Sequence, residues 1–452
     1  MNRDMFHKEN LQNFPKNWKV LRNKLVFSEY FGGSWGNDPV DQQTDALVRV
    51  IRVTEFDMDS LTVKENIPTI RSIELDKSSK KLIRKNDLIL EKSGGGEKKP
   101  VGRVVMVDRE MDFPTVNSNF TNICRPNTNL VDARFIVYSL LSSYQVGQTV
   151  RNIKQTTGIQ NLDLDGFMSE TILVPPIEEQ KLLSSYLDKR TEQINTFIKK
   201  IQKKIELLKE KRSSLINQHV TKGLDPSIKM KDSGFEWIRE IPKHWEIKKL
   251  PWVCFFQEGP GLRHWQFKED GVPVVCVTNI TPSGLNFDKY QRYISKKEYD
   301  SNYSHFTVEV GDLLIASSGN SFGKVCRYEG EFDKKFILNT STIRLHSLDE
   351  NELSTAYIKF LIESKIIQDQ IKILITGAAQ PNFGPTHLNQ IRIPIPPKSQ
   401  QELILKKINR MVNSIENLIK KELNRIDVLR EYKSSLILSV VTGKFRVTKD
   451  IV

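Results

Sequence analysis

The chain has 452 residues, too many for one ordinary domain, so two or three domains are expected. It is basic, with 68 Lys+Arg against 55 Asp+Glu and a net charge of +13, which favours a polyanionic partner, nucleic acid first; a Lys-rich surface kept soluble by its charge is the plain alternative. Cys124, Cys254, Cys276 and Cys326 are far apart and form no CxxC, "MNRDMFHKEN" has no apolar core for a signal peptide, and no apolar run nears the roughly 20 residues of a membrane span; disulfides, structural zinc and a membrane location are not expected, and a reducing cytoplasm fits.

From the N-terminus, "NFPKNWKVLRNKL" (Asn13 to Leu25) opens a globule, with Trp18 following a proline as a core anchor in preference to a base-stacking residue. "ALVRVIRVT" reads as a strand, "RKNDLILEKSGG" as a strand running into a Gly/Ser loop, and "DARFIVYSLLSSYQVGQTV" as an amphipathic helix. Pro175-Pro176 then stops the chain and starts a long helix. Steps of 4 and 3 from Leu183 pass through Leu187, Arg190, Ile194, Ile198, Ile201, Ile205, Leu208, Arg212 and Leu215, a heptad seam of about 48 Å at roughly 1.5 Å per residue.

The pattern then repeats. "EIPKHWEIKKL" (Glu240 to Leu250) answers the first opening, with Trp245 in the place of Trp18. "VPVVCVTNI" answers the first strand, "EVGDLLIASSGN" the Gly/Ser loop and "STAYIKFLIESKIIQDQI" the helix. Pro396-Pro397 starts a second long helix, whose seam is Ile404, Ile408, Met411, Ile415, Ile419, Glu422, Ile426, Leu429, Lys433 and Leu436. At an offset of 221, positions 175–221 and 396–442 align without a gap and share 17 identities, while the offset in the globules drifts between 219 and 227. Two seams matched in phase and length pair most simply within the chain, although a dimerisation coiled coil between chains has the same signature. The equivalent polar seam residues Arg212 and Lys433 either mark fraying or fix register.

The fold class expected is therefore α+β: two mixed α/β domains separated by two long helices that form an antiparallel coiled coil, a pseudo-two-fold repeat. The boundaries are 1–174, 175–222 (first helix), 223–395, and 396–452 (second helix and tail). Enzyme motifs are missing. "SSGNSFGKVC" fails as a phosphate loop because three residues separate Gly319 from Gly323-Lys324 and Val325 stands where a Ser or Thr would hold magnesium. Asp87 with Glu97-Lys98-Lys99 imitates a nuclease carboxylate set, but Glu97 follows three glycines and the second globule has no counterpart. No HxxxH or HExxH occurs, nor any NPPY-type tetrapeptide for amino-methyl transfer.

"VTKGLDPSIKMKDSGFEWIREIPKHWEIKKL" (Val220 to Leu250), "GDLLIASSGNSFGK" (Gly311 to Lys324), "GAAQPNFGPTHLNQIRIPIPPKSQQ" (Gly377 to Gln401) and the duplicated helices resemble the DNA-specificity subunit of type I restriction-modification enzymes, over essentially the whole chain. The first globule matches more loosely, with an insertion in "KNDLILEKSGGGEKKPVGR" and Gln160-Asn161-Leu162 where the second has Gln380-Pro381-Asn382. The resemblance implies a prokaryotic, cytoplasmic, non-catalytic subunit with two target-recognition domains, each reading half of a bipartite double-stranded DNA target. It implies two methyltransferase subunits docked on the helix pair and motor-nuclease subunits joining for cleavage. S-adenosylmethionine, ATP and Mg would belong to those partners, with no cofactor or metal in this chain. Half-sites about one helical turn apart, roughly 34 Å, fall within the reach of the seam. Unlike globules imply an asymmetric target.

Residue type selects the candidate DNA contacts, since Arg, Asn, Gln and Ser read base edges and Lys anchors phosphate. In the first globule they are Arg49, Arg52, Lys92, Ser93, Lys98, Lys99, Arg103, Arg151, Lys154, Gln155 and Gln160. In the second they are Arg263, His264, Trp265, Thr278, Asn279, Ser318, Asn320, Lys324, Lys372, Gln380 and Asn382. Each competes with a solvated charge or turn-former. Lys199-Lys200 and Lys420-Lys421 are solvated helix surface by default, or a face for methyltransferase or DNA backbone. The rival function is a non-enzymatic coiled-coil tether between two protein-binding modules; a third is an enzyme whose motif is unrecognised.

Overall fold

A computed structural model describes residues 14–39, 45–74, 80–96, 99–155, 158–288, 291–330, 334–375 and 382–451. The chain divides into two compact units, one running to Gln202 and resuming at Leu423, the other Lys203–Glu422. Each unit is one globule together with part of each long helix.

In the first unit, a six-stranded sheet has the order Phe27–Gly32, Thr121–Pro126, Leu88–Glu91, Val104–Met106, Thr62–Val63, Phe56–Asp57. The second unit repeats its centre as Cys254–Glu258, Thr342–Ser347, Leu313–Ala316, Val325–Arg327. A further sheet also repeats: Thr115–Asn117 runs parallel to Asp45–Ile51, and Ile337–Leu338 runs parallel to Val272–Val275. The central strands Leu88–Glu91 and Leu313–Ala316 are buried at every position. Such continuous burial explains the apolar runs Leu88–Leu90 and Leu313–Ala316, since both faces are covered. Asp87 and Asp312 sit just before them. Asp87 is buried and takes two hydrogen bonds from Arg125, at 2.9 and 3.1 Å, and one from the Arg84 backbone N–H. Asp312 is held by His346 at 2.8 Å and by the Glu309 N–H. Asp87 thus serves a turn and an ion pair; Glu97 and Lys98 of the nuclease-like set lie outside the described residues.

The long helices are Ile177–Lys222 and Lys398–Val441. They run antiparallel in both units. In the first, Asn195 meets Lys433 and Tyr186 stacks on Phe445; in the second, Lys204 meets Glu422 and Arg212 meets Glu416. Ile194, Ile198, Ile201, Ile205, Ile404, Ile408, Ile415 and Ile426 are buried, with Leu208, Ile419 and Leu429 half-buried. One turn departs from the expected seam. Arg190 is exposed and Thr191 is buried, and in the second helix Val412 is buried while Met411 is only half so. A step of 4-4-3 replaces 4-3-4 at both places because the helix there faces its own globule: Thr191 lies 3.1 Å from the hydroxyl of Tyr138, and Val412 belongs to the second globule's core.

The polar seam residues have partners. Arg212 bonds Glu363 at 2.5 Å and Glu416 at 3.2 Å; Lys433 donates to Asn195 at 2.8 Å. Asn195 and Glu416 are themselves equivalent at the offset of 221. Both polar contacts therefore fix register, and neither marks fraying.

The junctions repeat atom for atom. Buried Gln180 accepts from the Asp132 N–H and donates to the carbonyls of Leu130 and Pro175; buried Gln401 accepts from the Ser354 N–H and donates to those of Glu352 and Pro396. Trp18 donates to Glu179 at 3.0 Å and Trp245 to Gln400 at 2.9 Å, so both tryptophans anchor core. The expected amphipathic helix of the second globule is two helices, Thr355–Glu363 and Lys365–Leu374, broken at Ser364, whose extended backbone (ψ 153°) cannot continue the turn. Its counterpart Ala133–Gln145 is continuous and ends before Gly147, in the left-handed region at φ 78°.

Candidate nucleic-acid interface

In the first globule, strand Leu88–Glu91 runs on into Lys92, Ser93 and Gly94. The pair Ser93–Gly94 is the edge of a three-stranded sheet with Gln160–Leu162 and Ile153–Gln155. This sheet gathers Lys92, Ser93, Lys154 and Gln155. Lys99 closes the adjoining turn by pairing with Gly96, and Arg151 lies on the one-turn helix Thr149–Asn152 that leads into the last strand. Lys99, Arg151, Lys154 and Gln155 are exposed. Lys154 reaches Asp163 at 2.9 Å yet keeps 69% of its side chain exposed. Beside Arg151, burial pushes the Glu170 carboxyl up to about 7, opposed by a hydrogen bond from Asn152 and the charge of Arg151.

Four candidates of this globule have partners of their own. Arg103 makes a two-pronged pair with Glu91, at 2.8 and 2.7 Å. Glu91 is fully buried, so the guanidinium compensates an interior charge. Gln160 is buried and its oxygen accepts the Val101 N–H at 3.3 Å. Arg52 binds Glu55, whose carboxylate also caps the Arg52 N–H. Arg49 sits on the other sheet, paired with Asp112 at 2.6 Å and lying over Phe113. Lys98 lies outside the described residues.

In the second globule, Leu313–Ala316 runs into Ser317 and Ser318, and Ser318 pairs with Asn382 as an isolated bridge. The one-turn helix Gly319–Ser321 follows, and exposed Lys324 reaches Ser321 at 3.3 Å. Loop 259–266 lies alongside, tied by the Gly259 N–H to the Thr342 carbonyl and by the Thr340 hydroxyl to the Pro260 carbonyl. It presents Arg263, His264 and Trp265, the last 72% exposed. The loop is held by Gln266, which accepts the Arg263 N–H and donates to Glu298 and Tyr303. Thr278 is exposed, whereas Asn279 is buried, caps the Cys276 N–H at 2.8 Å and donates to the Asn286 carbonyl. It is the counterpart of Glu55. Lys372 stands apart, lining a cleft of about 810 Å³ with Asn217, Trp237 and Arg239. Gln380 and the side chain of Asn320 lie outside the described residues.

The structure also adds residues. Asn161 pairs with Ser93 as Asn382 pairs with Ser318, and the N–H groups of Leu162 and Phe383 donate to the carbonyls of Lys92 and Ser317. The true counterpart of Asn382 is therefore Asn161, one place along from the sequence alignment. The buried apolar pair Leu162 and Phe383 was the signal that would have set it. Phe120, 48% exposed, accepts the N–H groups of Lys92 and Ser93 on its carbonyl. Ser34 and Trp35 belong to the loop equivalent to 259–266. Gly33 and Gly259 start these loops; a Cβ there would lie 2.1 Å from the Ser118 carbonyl oxygen and 2.4 Å from that of Asn339. Ser341 sits in the left-handed region at φ 63°, its N–H bonded to Glu258, a strained backbone at the loop end of the second globule. Among the described residues no group of His, Cys, Asp and Glu is placed to hold a metal ion, and no helix is long and apolar enough to cross a membrane.

The same end of each globule thus carries cations, amides and exposed aromatics around a Gly/Ser loop, the residue types that bind phosphate and base edges. The family model for the type I restriction modification DNA specificity domain matches residues 48–207 and 242–426, one match per globule with its helix. The type I restriction enzyme MjaVIII specificity subunit of Methanocaldococcus jannaschii is 24% identical over 437 residues, 96% of this chain and 94% of that one. The type I restriction enzyme EcoKI specificity subunit of Escherichia coli is 22% identical over 212 residues, 45% of this chain and 44% of its own. A chain from a solved structure of a type I R-M system superposes with a TM-score of 0.68 at 13% identity, over 96% of this chain and 100% of that one, a likeness of fold. With more than half of its length matched in two copies, the chain belongs to the type I restriction-modification DNA specificity family, a DNA-recognition protein rather than an enzyme.

Proposed function

We propose that each globule reads one half of a bipartite, asymmetric DNA target, and that the helix pair sets the spacer and scaffolds two methyltransferase subunits. Motor-nuclease subunits join that assembly for cleavage. S-adenosylmethionine, ATP and Mg belong to the partners. The observation that carries this reading is one fold present twice, with the same loop end bearing unlike side chains: Lys92, Lys99, Lys154 and Gln155 in the first, Arg263, His264, Trp265 and Lys324 in the second. The functional boundaries are 1–174 and 223–395 for the readers, with 175–222 and 396–452 for the helices and tail. A reducing, prokaryotic cytoplasm suits the four buried free cysteines.

Footprinting of the chain mixed with its methyltransferase partner tests this. Two protected patches separated by an unprotected spacer are expected. Binding without sequence preference would instead favour a tether between protein-binding modules, and methyl transfer by the purified chain alone would favour an unrecognised enzyme.

A further inference from the structure

Around the Gly/Ser loops the two globules carry unlike side chains, yet one polar contact is present in both. In the first, the Ser93 hydroxyl donates to the side-chain oxygen of Asn161 at 2.6 Å. In the second, the Ser317 hydroxyl donates to that of Asn382 at 3.3 Å. The hydroxyls are not strict counterparts. Ser93 is the residue paired with its asparagine, whereas Ser317 precedes Ser318, which is paired with Asn382. Two different serines thus occupy the same oxygen of the carboxamide. What is kept is the bonding of the asparagine, its oxygen accepting from a serine hydroxyl and its NH₂ left to donate. Asn161 is half-buried and Asn382 exposed, so both can reach a ligand.

Their surroundings are unlike. Before the asparagine's partner stands Lys92 in one globule and Ser317 in the other. The adjoining loop carries Ser34-Trp35 in one and Arg263-His264-Trp265 in the other. Readers of unlike half-sites must differ where they touch bases, because base edges differ. They can agree only where they touch what every half-site shares. That shared element is the sugar-phosphate backbone, whose oxygens accept hydrogen bonds and donate none.

We infer that Asn161 and Asn382 grip a phosphate at the same place in each half-site, and that the unlike residues around them read the bases. This rests on the two-reader function proposed above. The test uses the full chain assembled with its methyltransferase subunits, titrated onto its target and onto unrelated duplex. Asn161→Ala and Asn382→Ala should each weaken both by the same factor, about 10–100-fold for one hydrogen bond to a charged group, leaving their ratio unchanged. Asn161→Asp still accepts the Ser93 hydroxyl, so the sheet keeps its contact, but it sets an anion against phosphate. It should bind more weakly than Asn161→Ala and melt at the wild-type temperature. A fall in the ratio confined to one half-site would make Asn161 or Asn382 a base reader and overturn the inference. So would Asn161→Asp binding like wild type, since the contact would then only close a loop. A wild-type assembly with no preferred target would instead sink the two-reader function, and this inference with it.

Discussion

Arg212→Met should destabilise the second unit by about 2–4 kcal/mol, somewhat below the ~3–5 kcal/mol of a fully buried pair broken on one side. Arg212 is held between Glu363 and Glu416, and the Glu363 side chain is only 11% exposed. Without the guanidinium that carboxylate stays in the interior with no counter-charge, and its desolvation is no longer offset. Glu363→Gln in the same chain should recover a large part of the loss, because a neutral amide costs less to bury. The equivalent change on the other helix has a different expected outcome. Lys433 is largely desolvated, and burial holds its amine below the usual lysine range, opposed by the charges of Asp59 and Asp57. Its hydrogen-bond partner Asn195 is neutral and keeps a second bond to the Asp59 carbonyl. Lys433→Met should therefore leave stability within about 1 kcal/mol of wild type, or raise it. Denaturant unfolding of both variants measures the contrast. Equal losses would show that the seam does not depend on which side holds the buried anion.

Adding one heptad to both long helices at matched positions should lengthen the preferred spacer by about three base pairs. Seven residues add about 10 Å at roughly 1.5 Å per residue, and B-DNA rises about 3.4 Å per base pair. The seam residues Ile194, Ile198, Ile201, Ile205, Leu208, Ile415, Ile419, Ile426 and Leu429 keep phase, because a heptad returns each to the same face. Affinity should fall even so, since the added rise does not bring matching rotation about the duplex. One residue inserted in a single helix should behave differently. It turns the downstream face by about 100° and sets the apolar stripe against solvent. Methylation measured on targets whose spacer varies one base pair at a time reports the optimum. An unchanged optimum in a folded heptad variant would mean that something other than the helices sets the spacing.

The helices were legible in the sequence because their constraint is periodic and present twice. Gln180 with Gln401 could be matched from the offset of 221, and Trp18 with Trp245 from the shared Pro-Lys-x-Trp opening, and their hydrogen bonds then repeat atom for atom. The one slip in the seam, Thr191 for Arg190 and Val412 for Met411, occurs where a globule replaces the partner helix, and a heptad count has no knowledge of that neighbour. The loop ends that gather most of the candidates were legible as groups, and less so by member. Residue type marked Arg103, Gln160 and Asn279, but Glu91, the Val101 N–H and the Cys276 N–H claim them. Partners of that kind are set by strand register and loop closure, which one sequence does not display. The same ignorance hid Asn161: the drifting offset aligned Gln160 with Gln380, whereas pairing with the Gly/Ser loop places Asn161 opposite Ser93.

The claim that one globule reads one half-site is tested most directly by exchange. Residues 240–393 would be replaced by the corresponding part of a family member with a different target, and the methylated sequence determined for the assembled complex. The account predicts a hybrid target in which one half-site is new, the other is unchanged and the spacer is kept. A change in both half-sites, or in neither, would contradict it.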